Sequence, residues 1–198
     1  MLHTIGRLLR RPAAHDFRKL HLGSGKNPLP GWANLDLEGP PGTILHDLTR
    51  ALPVPSAVSD FVFSEHFIEH VTRDQALALL KECHRVLKDS GVLRLSTPDL
   101  AVLVDRYAKR QLDEWHDMGW MPGTPCRLLN EGMRLWGHQF VYDAAELRLL
   151  LSEAGFDAVQ AVAWRESVHP ELKALECRPF HGEIILEATR EPRGDPAR

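Results

Sequence analysis

Apolar and polar positions alternate between two rhythms along most of the chain. "RKLHLGSG" reads as a short strand running into a glycine turn, "ANLDL" as a second strand, and "GTILHDL" as a third after the "GPPG" break. "KNPLPGW" and "ALPVPSAVS" are proline-bearing connections. "DFVFS" has the look of a strand buried on both faces. "TRDQALALLKECHRVLKDSG" then switches to a helical period. Its stripe is Ala76, Leu79, Leu80, Cys83, Val86 and Leu87, with Thr72 and Gln75 as a capping box and Gly91 as the stop. "VLRLSTP" predicts a strand, "DLAVLVDRYAKRQLDEW" a helix, and "DAAELRLLLSEAG" a helix stopped by Gly155. "FDAVQAVAW" and "GEIILEATR" close the chain as two strands, and residues 116–140 follow neither rhythm.

Strands alternating with helices predict an α/β architecture, a doubly wound parallel sheet with helices on both faces. Ligands of such sheets sit outside the carboxyl ends of the strands. The length of 198 residues suits one domain over 1–190, with a polar tail at 191–198. The basic, partly apolar "MLHTIGRLLRRP" is too short and interrupted for a secretory signal. It reads as a capping helix, or as an amphipathic turn touching a membrane or partner.

Net charge is −3, so no strong field draws in nucleic acid. Cys83, Cys126 and Cys177 form no C-x-x-C pair, which disfavours a thiolate metal site or disulfide framework and fits reduced thiols in a cytoplasm. No apolar run approaches the roughly 20 residues of a membrane span.

The strand ends carry the candidate chemistry. Gly23 and Gly25 permit positive φ and close approach of a ligand. Asp36 ends the second strand, where a carboxylate can accept both hydroxyls of a ribose. Gly23 and Asp36 are 13 positions apart, against about 20 in the dinucleotide fingerprint. The short crossover leaves no long helix to hold a pyrophosphate, which argues against NAD and FAD and for a nucleoside without phosphates. Asp47 is placed either to accept from an adenine amine, with Leu48 on the ring face, or to cap the next turn. Ser64, Glu65 and His66 end the fourth strand and Asp99 follows the fifth.

With these residues in place the chain resembles the class I S-adenosylmethionine-dependent methyltransferases, and most closely a small type-11 group of predicted methyltransferases. "LHLGSG", "GWANLDL", "ILHDL", "DFVFSEHFIEH", "ECHRVLKDSGVLRLSTPDL" and "FVYDAAELRLLLSEAGF" carry the resemblance over residues 18–158. It implies a Rossmann-like sheet whose last strand is antiparallel, with S-adenosylmethionine as cofactor. It further implies Gly23, Ser24 and Gly25 under the methionine moiety, Asp36 on the ribose and Leu37 beside the adenine. Asp47 and Leu48 match the adenine pair, and Ser64 and Glu65 the segment lining cofactor and acceptor. "DSG" stands where the family usually has "PGG", and the segment after Gly25 is shorter than in many relatives.

"HFIEH" also fits H-x-x-E-H, the pattern of one zinc peptidase class. A zinc hydrolase on His66, Glu69 and His70 is therefore a third reading, but the resemblance makes the segment a helix start with His70 structural, and no metal is expected. His66, Asp99 and His138 are the candidate bases for the acceptor, and His66 is best placed by pattern. Residues 113–142, with Trp115, Trp120 and Trp136, are a candidate lid over a flat or sugar-like acceptor. They serve equally as a satellite core or a homodimer contact. The competing class is a SAM- or nucleoside-binding module without catalysis, and a nicotinamide oxidoreductase ranks behind it.

Overall fold

A computed structural model describes residues 16–112 and 115–192. The basic amino-terminal segment and most of the polar tail lie outside the described residues. Seven strands form one sheet in the order β3-β2-β1-β4-β5-β7-β6. They are β1 (Lys19–Leu22), β2 (Ala33–Asp36), β3 (Ile44–Leu45), β4 (Ser59–Glu65), β5 (Leu87–Thr97), β6 (Ala158–Ala161) and β7 (Ile184–Thr189). Strands β1 to β5 pair in parallel, and β7 runs antiparallel between β5 and β6. The helices are α1 (Arg73–Val86), α2 (Leu100–Lys109), α3 (Pro125–Gly132) and α4 (Ala144–Glu153).

Side-chain alternation assigns the two faces of the sheet different tasks. On one face Leu20, Leu22, Val62, Leu93, Leu95 and Leu186 join the stripes of α1 and α4 in the main core. On the other, register aligns Asn34, His21, Phe63, Arg94, Glu187 and Gln160 across six strands. That polar row lies beneath the irregular segment that follows β6. Phe61 meets the ring of His169, and Arg94 donates to the Glu166 carbonyl at 2.7 Å.

The capping box of α1 forms as its spacing predicts: Thr72 accepts from the Gln75 N–H at 3.3 Å, and the Gln75 side chain accepts from the Thr72 N–H at 3.0 Å. Thr72→Ala is expected to cost about 1 kcal/mol, lowering Tm by about 2–4 °C in a thermal melt. The other end departs from expectation, because α1 stops at Val86 rather than running to Gly91. Tertiary partners take its last carbonyls. Arg190 donates to the carbonyls of His84, Arg85 and Leu87, while the N–H groups of Ala57 and Val58 bond Arg85 and Val86. With its end satisfied from outside, the chain turns straight into β5 at Leu87, which pairs with Ser59.

Two further elements differ from the pattern. Helix α2 ends at Lys109, where Arg110 adopts a left-handed φ of 56°. Residues 116–140 contain the eight-residue α3, started by Thr124 accepting from Arg127 and by Pro125 in its first turn. This helix closes a second apolar cluster of Leu103, Trp115, Trp120 and Leu128 at the carboxyl rim of the sheet.

Candidate functional site

The turn after β1 is built so that only glycine fits its first position. Gly23 has φ +73°, and a Cβ there would lie 2.8 Å from Phe67. The turn's N–H groups are already used. Gly23 and Ser24 donate to the Leu35 carbonyl at 2.9 and 3.3 Å, and Gly25 donates to Asp36 Oδ2 at 2.7 Å. The loop is thus fastened to β2, and Asp36 lies directly against the glycine bend. A phosphate cradle needs free N–H groups, so this turn suits a ligand without phosphates.

A cavity of about 510 Å³ opens beside the turn, within the range of cofactor sites. Gly23, Ser24, Gly25 and Glu65 line it, with His21, Phe63 and His66. Ser24 Oγ is buried with no hydrogen-bond partner among the described residues. His21 meets Asn34 Oδ1 at 3.0 Å. That oxygen also accepts from the Leu29 N–H, and the Asn34 amide donates to the carbonyls of Leu29 and Trp32. Oδ1 is therefore an acceptor, so His21 carries its hydrogen on Nδ1 and presents a bare Nε2. Burial lowers the His21 pKa, which keeps the ring neutral.

The other expected cofactor residues are placed differently. Leu37 is exposed beyond Asp36 and open to a planar ring. Asp47 Oδ1 accepts from the Thr49 N–H at 3.0 Å and hydroxyl at 2.7 Å, so it caps the following turn. Leu48 is buried in the main core rather than offered to a ligand. Ser64 faces away from the cavity, since strand alternation sends it under the sheet with Leu22, Ile68 and Cys83. Glu65 reaches the rim, but its carboxylate accepts from the N–H groups of Cys177 and Arg178, each at 3.1 Å, and from the Cys177 thiol at 3.0 Å. Burial and Glu65 together push the Cys177 pKa up to about 11, so the thiol stays a donor.

A second cavity, of about 150 Å³, is lined in part by Trp115, Trp120, Trp136 and His138 of the segment between α2 and α4. His66, Asp99 and His138 all line it, together with Glu69, His70 and Glu183. His66 sits at the end of β4 with φ 49°. Asp99 caps α2, accepting from the Ala101 N–H at 2.8 Å, and burial raises its pKa. His138 donates from Nδ1 to the Gly132 carbonyl at 3.0 Å, and burial lowers its pKa. Rings run in sequence along the wall: Trp115 to Trp120 at 5.0 Å, Trp120 to Trp136 at 5.3 Å, Trp136 to His138 at 5.5 Å, His138 to His70 at 5.0 Å. Residues 178–183 complete the cavity, a contribution the helical and strand rhythms do not signal. Because β7 is antiparallel, the residues before it reach the rim where the parallel strands end. Ile68–His70 is a single 3-10 turn, so His66 and His70 do not lie one turn apart on a helix as a peptidase site requires.

Fold and site together define a class I methyltransferase. The chain belongs to the methyltransferase domain family, matched over residues 27–161. Among solved structures it is similar to a SAM-dependent methyltransferase, possible histamine N-methyltransferase, from Thermotoga maritima (19% identity, TM-score 0.51, 90% of this chain and 84% of that one). It is also similar to SAM-dependent methyltransferases from Mesorhizobium loti (20%, 0.52, 91% and 94%) and Archaeoglobus fulgidus (16%, 0.52, 88% and 88%). At these identities the likeness is one of fold. The chain spans about half of some longer matches, including 50% of CurJ carbon methyltransferase. No curated protein matches it in sequence. The cofactor is S-adenosylmethionine, and the residues fit it: a phosphate-free glycine turn, a buried unpartnered Ser24 hydroxyl, and a cavity of suitable size. No helix among the described residues is long and apolar enough to cross a membrane.

Proposed function

We propose that this enzyme methylates a small molecule, a sugar or polysaccharide-related hydroxyl compound, with the donor in the larger cavity and the acceptor under the lid. The observation that carries this reading is a shared wall: His66 and Arg178 line both cavities. Bound S-adenosylmethionine supplies an electrophilic methyl group, whose bond to sulfur breaks as the acceptor oxygen bonds to it. Gly23, Ser24, Gly25, Asp36, Leu37 and Glu65 are proposed to hold the donor. His66 is proposed to take the hydroxyl proton, while Asp99 and His138 shape the acceptor side.

The lid cavity supports a small acceptor. A cavity of about 150 Å³ holds one six-membered ring such as benzene. A lining that combines tryptophan rings with histidine and carboxylate groups suits a molecule with an apolar face and several hydroxyls. The slightly acidic chain makes nucleic acid a poor acceptor.

Labelled-methyl transfer to candidate glycosides, measured with purified wild type and His66→Ala, tests this reading. His66→Ala is expected to lower kcat by about 10²–10⁴-fold, the range of a general base, while SAM affinity changes less than about threefold, under 1 kcal/mol. Undiminished kcat removes His66 from the chemistry. SAM binding with no transfer to any acceptor favours the binding-module reading.

A further inference from the structure

The three-residue turn that follows β4 buries a carboxylate the methyl-transfer reading leaves unused. Glu69 is 0% exposed. Its Oε2 accepts from the Thr97 hydroxyl at 3.0 Å. Its Oε1 has no hydrogen-bond partner among the described residues, although it faces the lid cavity's wall. Two imidazoles stand beside that oxygen: His66 Nδ1 within ion-pair distance at 3.2 Å, and His70 Nε2 at 4.0 Å. His138 approaches from the lid side, and one ligand atom from each of Glu69, His70 and His138 lies within 4.8 Å of the others. A buried carboxylate costs free energy unless cationic or protic groups meet it, and a cation held among these imidazoles would do so.

We propose that Glu69, His70 and His138 bind a divalent transition-metal ion, zinc foremost, with an open coordination position toward the lid cavity. Two imidazoles and one carboxylate are a donor set of catalytic zinc sites, which keep a further position for water or substrate. The surrounding contacts are those that orient metal ligands. His138 donates its Nδ1 hydrogen to the Gly132 carbonyl, leaving Nε2 as the ligand atom. Thr97 fixes the second oxygen of Glu69, leaving Oε1 for the ion. Tetrahedral ligands about 2.1 Å from zinc sit about 3.4 Å apart, so atoms now up to 4.8 Å apart must close by as much as about 1.4 Å. His138 and His70 can share that movement, since both rings are partly exposed rather than locked in the sheet. Only the ion's role depends on the proposed methylation: at the open position it would bind the acceptor hydroxyl and ease loss of its proton. The binding itself does not depend on it.

The test is a zinc chloride titration of the full chain against a chromogenic chelator, with metal content measured after dialysis. The expected result is one zinc per chain. His138→Ala and His70→Ala, made separately, should each weaken binding at least tenfold. Both rings are partly exposed, so these variants should melt near wild type. S-adenosylhomocysteine is titrated into the same samples. Its affinity should be unchanged in both variants, because neither residue lines the larger cavity. No stoichiometric zinc, or zinc retained undiminished by both variants, overturns the metal site. Zinc bound as expected with no S-adenosylhomocysteine binding leaves the metal site standing and removes the methylation reading instead.

Discussion

Arg94→Met is expected to destabilise the chain by about 3–5 kcal/mol, the cost of removing one partner from a buried ion pair. Arg94 is fully buried on the polar row of the sheet. It bonds Glu176 at 2.6 Å and Glu187 at 2.7 Å, both nearly inaccessible, and the Glu166 carbonyl at 2.7 Å. Methionine fills much of the same volume but leaves two carboxylates in the interior without a cation. In a domain of this size that corresponds to a fall in Tm of roughly 6–20 °C. The triple variant Arg94→Met, Glu176→Leu, Glu187→Leu should recover most of the loss, because a well-packed apolar replacement of a whole buried ion group is often neutral. Thermal melts and urea titrations check both. A single variant as stable as wild type would show that the carboxylates find protons or water instead. The effect reaches the site as well. Glu176 immediately precedes Cys177 and Arg178, which Glu65 clasps at the edge of the larger cavity. Releasing Arg94 therefore unpins that wall, and S-adenosylhomocysteine affinity should fall along with stability.

The sequence made the sheet legible because its signals are local. Every predicted strand formed, as did the helices starting at Thr72 and Asp143, where a capping side chain and an apolar stripe coincide. What failed depended on distant groups. Gly91 looked like the helix stop, yet Arg190, a hundred residues away, satisfies the end of α1 earlier. Helix α3 carried a start signal in Thr124 and Pro125, but its tryptophan- and glycine-rich surroundings hid it. The closeness of Asp36 to the glycine turn could be placed from strand ends alone, although Asp36 bonds the turn rather than lining the larger cavity. Ser64 could not, because which way a side chain at a strand's end points depends on one residue of register, and Leu48, in the turn beyond β3, is drawn into the main core. Residues 178–183 reach the smaller cavity only because β7 runs backwards, and the closeness of Glu69 to His138 exists only once the fold brings distant segments together.

Asp36→Ala should abolish most of the affinity for S-adenosylmethionine while leaving the fold intact. Each Asp36 oxygen already accepts one N–H, from Gly25 at 2.7 Å and from Glu38 at 3.2 Å. A carboxylate offers about four lone-pair directions, so both oxygens keep capacity for a ribose diol. Two hydrogen bonds to a charged group contribute about 1.5–3 kcal/mol each, so the dissociation constant should rise roughly 100-fold or more. The side chain is partly exposed and ends a strand, so a thermal melt should move little. Alanine also frees the Gly25 N–H, and that effect has to be separated from loss of the ribose contact. An analogue of S-adenosylhomocysteine lacking the ribose hydroxyls separates them by calorimetry. Against wild type it should bind as weakly as the parent compound binds the alanine variant, and against the variant it should bind no worse than the parent. If the analogue instead loses as much affinity in the variant as the parent does, Asp36 acts by holding the glycine turn. The diol would then lie elsewhere along the cavity.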